Sequence, residues 1–352
     1  MANTKIPPEL VDDQVFGNRN VIINGEMQIA QRGTQTGQGA ANAYTAVDRM
    51  NLYAYGTSGR VTSEQSTDTP DGFAYSCKLS CTTADGSLTG SDGFIFRQKI
   101  EGFNAQRFAK GTSSAKEFTV SFYVKGNASA TYTCELYDAS NTRQVSKTFA
   151  VTTSWNRIEL TFPADTTGAL SNNSSGVLLI QLWLGAGSDF TSGTLNQTWN
   201  SVTTANRVSS SNSNFLSSTS NTFFITGFQL ETGSQATPFE HRSIGEVTDL
   251  CHRYYFRAKN SSSGYPIIWA HPITTGSAVY RRAQIYLPTE MRAAGSWLVT
   301  VVFGGSLTGG TNVPYATYVT QNTAFIVCDH ASANDGTGAY VYINSLVVDA
   351  EL

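Results

Sequence analysis

Charge is scarce in this chain of 352 residues. Asp, Glu, Lys and Arg make up 14% of it, against roughly 25% in an ordinary soluble protein. Ser, Thr, Asn and Gly fill the deficit, so the surface is solvated by hydroxyls and amides, as in many extracellular β-proteins. The net charge is −3, and no field of one sign draws the molecule to nucleic acid or to an acidic membrane. Long apolar runs are missing too. The longest, VLLIQLWL (177–184), is strand-sized and interrupted by Gln181, well short of the roughly 18 residues of a membrane span. MANTKIPPEL at the N-terminus lacks the apolar core of a signal peptide. The expectation is synthesis in a cytoplasm without Sec-type export; any role outside the cell would need another exit, such as release in a particle by lysis.

Cysteine is sparse and unpatterned. Five residues, an odd number with no CxxC, argue against a disulfide framework or a zinc site. Cys77 and Cys81 on one strand face would stand about 13 Å apart, at roughly 3.3 Å per residue, too far to bridge. All five read as free thiols. Catalytic signatures are absent as well: there is no GxSxG, HExxH, P-loop or GxGxxG. His241, His252, His271 and His330 fall in no metal-ligand spacing. A glycosidase needs two carboxylates at about 5–10 Å; Glu101, Glu135, Glu159 and Asp189 are available, as such pairs are in any β-protein of this length. DTPDG (68–72) and ADG (84–86) offer oxygens to calcium but read first as Asx-turns. The sequence therefore points to no enzyme, no cofactor and no metal.

What it has in abundance is alternation. FTVSFYVKG (118–126) sets Phe118, Val120, Phe122 and Val124 against Thr119, Ser121, Tyr123 and Lys125. Tyr132, Cys134 and Leu136 share a face, as do Ile158, Leu160 and Phe162, and Leu178, Ile180, Leu182 and Leu184. Period-2 patterns separated by GNASA, DASN and ADTTGALSNNSSG are half-buried antiparallel strands joined by turns. The fold class predicted is all-β: a jelly-roll β-sandwich over 25–241, then a smaller C-terminal β-domain over 259–352. Residues 1–24, with KIPPEL and VDDQVFGNRN, read as an extended docking arm. The polar low-complexity stretch 185–222 is unusually long for a loop and reads as either a functional surface loop or a mobile one. Between the β-regions, 242–258 is expected to be a linker helix. Ile244, Val247, Leu250, Cys251 and Tyr254 fall near one helical face, and Ser243 with Glu246 has capping-box spacing.

Two groups of side chains stand out. Trp199 in LNQTWNS, Trp183 facing away from its leucine neighbours, Tyr53 and Tyr55 are candidates to stack on sugar rings, with Tyr123 and Tyr137 also on outer faces. Arg242, Arg253, Tyr254, Tyr255 and Arg257 would give the linker a basic, aromatic face suited to an interface between domains or subunits.

Three stretches in order carry a family resemblance: NVIINGEMQIAQRGT (20–34), YTAVDRMNLY (44–53) and ITGFQLETGSQATPFEHRSIGEVTDLCHRYYFR (225–257). Together they resemble bacteriophage tail-fibre and related virion surface proteins, and MANTKIP resembles the start of fibre proteins of marine podophages. The resemblance implies a jelly roll like that of carbohydrate-binding modules, residence in a virion, attachment to other virion proteins through residues 1–24, and assembly as a homotrimer. It implies no active site. Repetitive shaft segments, usual in long fibres, are missing here. The expected function is a short tail fibre or receptor-binding spike that binds a host surface glycan. The alternatives are a capsid decoration or head fibre, and a free-standing glycan-binding module; an enzyme that degrades surface polysaccharide comes last. Neither nucleic acid nor membrane insertion is expected.

Overall fold

Alternation in the strands becomes burial in the structure. Phe118, Val120, Phe122 and Val124 are fully buried on one face of their strand, and Leu178, Ile180, Leu182 and Leu184 on one face of theirs. The structure, a computed structural model, describes residues 18–259, 268–269, 271–275, 278–304, 315–317, 320–330 and 340–352. The chain divides into two units, 1–244 and 245–352.

In the first unit the strands are β1 (Gln35–Gln38), β2 (Ala41–Tyr44), β3 (Asn51–Tyr55), β4 (Arg60–Ser66), β5 (Ser76–Thr83), β6 (Gly93–Glu101) and β7 (Phe118–Gly126). They continue with β8 (Ala130–Asp138), β9 (Arg143–Val151), β10 (Asn156–Phe162), β11 (Gly176–Ala186), β12 (Asn200–Ser201) and β13 (Thr222–Thr232). They form two antiparallel sheets, ordered β1-β4-β5-β13-β7-β10 and β12-β9-β8-β11-β6-β3-β2. This is a jelly-roll β-sandwich, and its core lies between the sheets. Leu52, Phe96, Leu136 and Leu182 come from one side, and Leu79, Phe122, Ile225 and Leu230 from the other. ITGFQLE, in the last strand, pairs centrally between β5 and β7 rather than at an edge. Cys77, Cys81 and Cys134 are free thiols within this core. Two aspartates of the Asx-turn stretches have protein partners: Asp68 meets Lys125 and Trp155, and Asp85 accepts from Thr57 and Ser58.

The segment expected to be a free arm up to residue 24 is not free over its last part. Asn20, Val21, Ile22, Ile23 and Asn24 are buried; the rest of the expected arm, 1–17, lies outside the described residues. The physical reason is a polar clasp that closes the sandwich and joins the three resemblance motifs. The Asn20 amide donates to Phe228 O at 3.0 Å and its carbonyl accepts from the backbones of Ile22 and Leu230 at 2.9 and 3.0 Å. Glu240 accepts from the backbones of Asn20 and Arg19, and the Arg242 guanidinium reaches Asn20 O. Glu231 binds Thr237 through both its backbone N–H and its hydroxyl. Asp48 of the VDR segment accepts from the Gln31 backbone and pairs with Arg32. Gly25 is required where it stands, because a Cβ there would lie 2.1 Å from Phe228 O.

Burial alone would raise the pKa of Glu240, but the backbone N–H groups of Asn20 and Arg19 outweigh it and hold the carboxyl below the usual carboxylate range. A carboxyl depressed in the folded state contributes stability above its unfolded pKa and loses it as pH falls through the folded one. The expected result is a melting temperature that declines below about pH 4.3. In Glu240→Gln that acid limb flattens, starting from a lower value at neutral pH. Thermal unfolding followed from pH 7 downward checks this; an acid limb of unchanged steepness in the variant would remove Glu240 from the account.

In the second unit a helix, Ile244–His252, is followed by two four-stranded antiparallel sheets. Tyr340–Asp349 pairs with Tyr255–Lys259, Ile268–Trp269 and Ser296–Gly304 in one sheet. Ala278–Tyr286 and Thr323–His330 pair at the centre of the other. The expected helix over 242–258 is thus half helix and half strand. Val247, Cys251 and Tyr254 are buried as the periodicity suggests, while Ile244 is 58% exposed.

Candidate functional site

The outward side chains of the seven-stranded sheet are placed by strand register. One row across the sheet reads Tyr44, Asn51, Arg97, Gln181, Glu135 and Ser146. The adjacent row reads Asn42, Tyr53, Ile95, Trp183, Thr133 and Thr148. Antiparallel pairing brings residues far apart in sequence within side-chain reach of each other.

The low-complexity stretch folds onto part of this face. Phe190 and Val208 bury themselves against Ile95 and Trp183, forming a small apolar cluster outside the main core. Backbone bonds from Val208 to Phe190 O and from Gly193 to Ala205 O close the cover on itself. Its far end delivers Arg207, whose carbonyl accepts from Ser146 Oγ and whose guanidinium makes a bidentate pair with Glu135 at 2.8 and 2.9 Å. Glu135 also accepts from Trp183 Nε1 and Gln181 Nε2, both at 2.8 Å. Burial works against the charge on Arg207, but Glu135 outweighs it and keeps the pKa raised.

Where the cover stops, a groove of about 470 Å³ remains, within the roughly 300–1,000 Å³ of small-ligand sites. Half-buried Tyr53, Tyr55 and Tyr137 stand along it, with Arg97, Gln181 and Arg207 between them. Arg97 lies 3.9 Å from the Tyr53 ring centroid, and Tyr55 packs edge-on to Tyr53 at 5.3 Å. Burial pushes the Tyr55 hydroxyl pKa up, so the hydroxyl stays protonated and able to donate. Arg207 lies over both Tyr137 and Trp183, at 5.1 and 5.0 Å. Among the described residues no carboxylate lines the groove; the nearby Glu135 is fully buried.

Of the four aromatic candidates, Tyr53 and Tyr55 lie in this groove. Trp183 is directly below, with no exposed surface. Trp199 is elsewhere: the expectation of an exposed loop residue gives way to a side chain 8% exposed in the main core. It packs on Phe118 at 5.5 Å and donates to Pro163 O. Its polar sequence neighbours concealed this, because Asn200 and Ser201 alone take the exposed edge as β12.

The five interface candidates are divided between the two units. Arg242 belongs to the clasp of the first unit. Tyr254 and Tyr255 of the second are buried at 0% and 6% exposure, and Arg253 and Arg257 are half-buried. The reason is local: the helix ends at His252 and the chain is strand from Tyr255, so helical spacing no longer sets directions. Sequence reasoning missed Arg97, Gln181 and Arg207 as site residues. Gln181, the lone polar residue in VLLIQLWL, and Arg97 within GFIFRQKIE were the available signals.

No family model and no curated protein matches the chain. Among solved structures, one described as "CBM4 structure and function" aligns at 14% identity and a TM-score of 0.32, over 60% of this chain and 98% of that one. A family 11 carbohydrate-binding module of a Clostridium thermocellum cellulosomal cellulase aligns at 11% identity and 0.29, over 57% of this chain and all of that one. The enzymatically active domain of bacteriophage CBA120 tailspike protein 4 aligns at 13% and 0.30, over 61% of this chain but 22% of that one. Likeness at this level assigns no ligand.

Proposed function

We propose that the groove on the seven-stranded sheet binds a glycan and that the chain works by attachment rather than by catalysis. The observation that supports this is one preformed groove holding half-exposed tyrosines, amides and guanidinium groups in register. A sugar ring presents an apolar C–H face and a rim of hydroxyls. Aromatic surface matches the first, and a few placed polar groups orient the second. Hydrolysis by paired carboxylates finds no support, since among the described residues no lining side chain is a carboxylate.

Tyr53→Ala and Tyr55→Ala are expected to weaken binding roughly tenfold or more, with little change in melting temperature for Tyr53→Ala. Glycan-array screening of the intact protein, then calorimetry with the strongest hit, reads this. Unchanged affinity in both variants would move the site elsewhere.

The place of action proposed is a virion surface. Its support is the ordered set of three motifs that resembles phage virion proteins, and it assigns partner virion proteins to the residues preceding the sandwich. Homotrimeric assembly would make weak single-site contacts sufficient through effective concentration. Native mass by light scattering tests that arrangement: a trimer fits a fibre or spike, and a monomer favours a decoration assembled on its shell or a free module.

A further inference from the structure

We infer that the groove selects an acidic glycan, one bearing a carboxylate, and that Arg97 is the residue that receives it. This inference rests on the glycan reading above and deepens it by naming the ligand class.

Two features of the groove support it. Among the described residues the lining side chains include three cations, Arg97, Lys99 and Arg207, and no anion. Arg207 already has its counter-charge in Glu135. Arg97 is 6% exposed yet meets only neutral partners: Asn51 Oδ1 at 2.9 Å, Asn42 Oδ1 at 3.2 Å and Gln181 Oε1 at 3.5 Å. A buried charge held by neutral carbonyls alone is costly, and evolved interiors pair it. Among the described residues no such pair is present, and the guanidinium lines a groove.

The geometry suits a carboxylate in particular. Guanidinium has five N–H donors in a planar fork, and three of them are engaged by those amides. Two remain, one on each terminal nitrogen, and a carboxylate offers two charged oxygens to accept from them. The Tyr53 ring at 3.9 Å and the Asn51 carbonyl hold the plane in place, so little ordering is needed when the ligand arrives. Burial pushes the Arg97 pKa down, and the main groups that offset it are Tyr53, Tyr44 and Tyr55, none of them a carboxylate.

The test is affinity electrophoresis of the full chain through gels containing polygalacturonate, alginate or hyaluronan, each run beside its carboxyl-reduced counterpart. The expected result is retardation by at least one acidic polymer and roughly ten- to hundredfold weaker retardation by its reduced form. Arg97→Gln should bind both forms equally weakly. Lys78→Gln, on the other sheet, should behave as wild type and so exclude bulk attraction. Equal retardation by acidic and reduced forms overturns this inference and leaves the glycan reading standing. No retardation by any polymer in either form sinks both. The paired polymers are compared on the wild-type protein, so the outcome stands even if Arg97→Gln does not fold.

Discussion

Lys110→Met should destabilise the sandwich by about 3–5 kcal/mol, the usual result of removing one partner from a buried ion pair. Lys110 is wholly buried, 2.6 Å from Asp138 and 2.9 Å from Asp165, and it also donates to the carbonyls of Thr167 and Gly168. Its ammonium lies 5.0 Å from the Trp199 ring centroid. Methionine fills much of the same space but leaves Asp138 without its cation and two loop carbonyls without a donor. Asp165 retains Arg143 at 2.8 Å, which limits the damage to one side of the network. Burial alone would raise the Asp165 pKa; Arg143 and Lys110 override it and hold the carboxyl low, so in the variant that hold weakens. A melting temperature lower by roughly 10 °C is expected for a unit of this size. A shift under about 2 °C would mean that water replaces the ammonium and that the network contributes little. The double variant Lys110→Met/Asp138→Asn should recover part of the loss, since it removes the stranded charge.

Asn20→Ala should cost about 3 kcal/mol, because one side chain satisfies three buried backbone groups, and each group left unsatisfied carries its own desolvation penalty. The three belong to two segments distant in sequence: Ile22 on one side, Phe228 and Leu230 on the other. The loss should therefore be cooperative unfolding of the sandwich, not local fraying of residues 18–24. Asn172→Ala, at an exposed amide in the loop before β11, should leave stability within the ±0.5 kcal/mol of ordinary surface changes. Denaturant unfolding of the two variants reads both outcomes; similar midpoints would show that the clasp is dispensable. The clasp also gives the resemblance motifs a physical meaning. Asn20, Gly25, Glu231 and Glu240 tie the two ends of the sandwich together, and Asp48 holds the first two motifs to each other, so what these motifs record is how the sandwich is closed.

Much of the fold was legible. The alternating residues of 118–126, 131–138 and 177–184 told inside from outside, and Cys77, Cys81 and Cys134 fell in the core as free thiols. The linker was legible only in its first half: Val247 and Cys251 share a buried helical face, and from Tyr255 the chain is strand. The last residues of the expected arm, 20–24, were misread because polar composition with turn signals resembles a tether. Nothing local announces that Asn20 will bond to Phe228. Trp199 was misread for a related reason, its polar neighbours being a poor guide to a side chain that turns inward.

The difference between the two kinds of knowledge has one physical origin. A strand has a period of two, so each segment by itself determined which of its side chains could share a face: Tyr53 with Tyr55, Glu135 with Tyr137, Arg97 with Lys99. Which strands would be neighbours, and in what register, depends on pairings closed over long loops. Arg97 and Gln181 are 84 residues apart in the chain and within 3.5 Å in the sheet. Only the tertiary structure could lay Arg97 beside Gln181, bring Arg207 from a low-complexity loop onto Glu135, and leave the groove open where the cover ends.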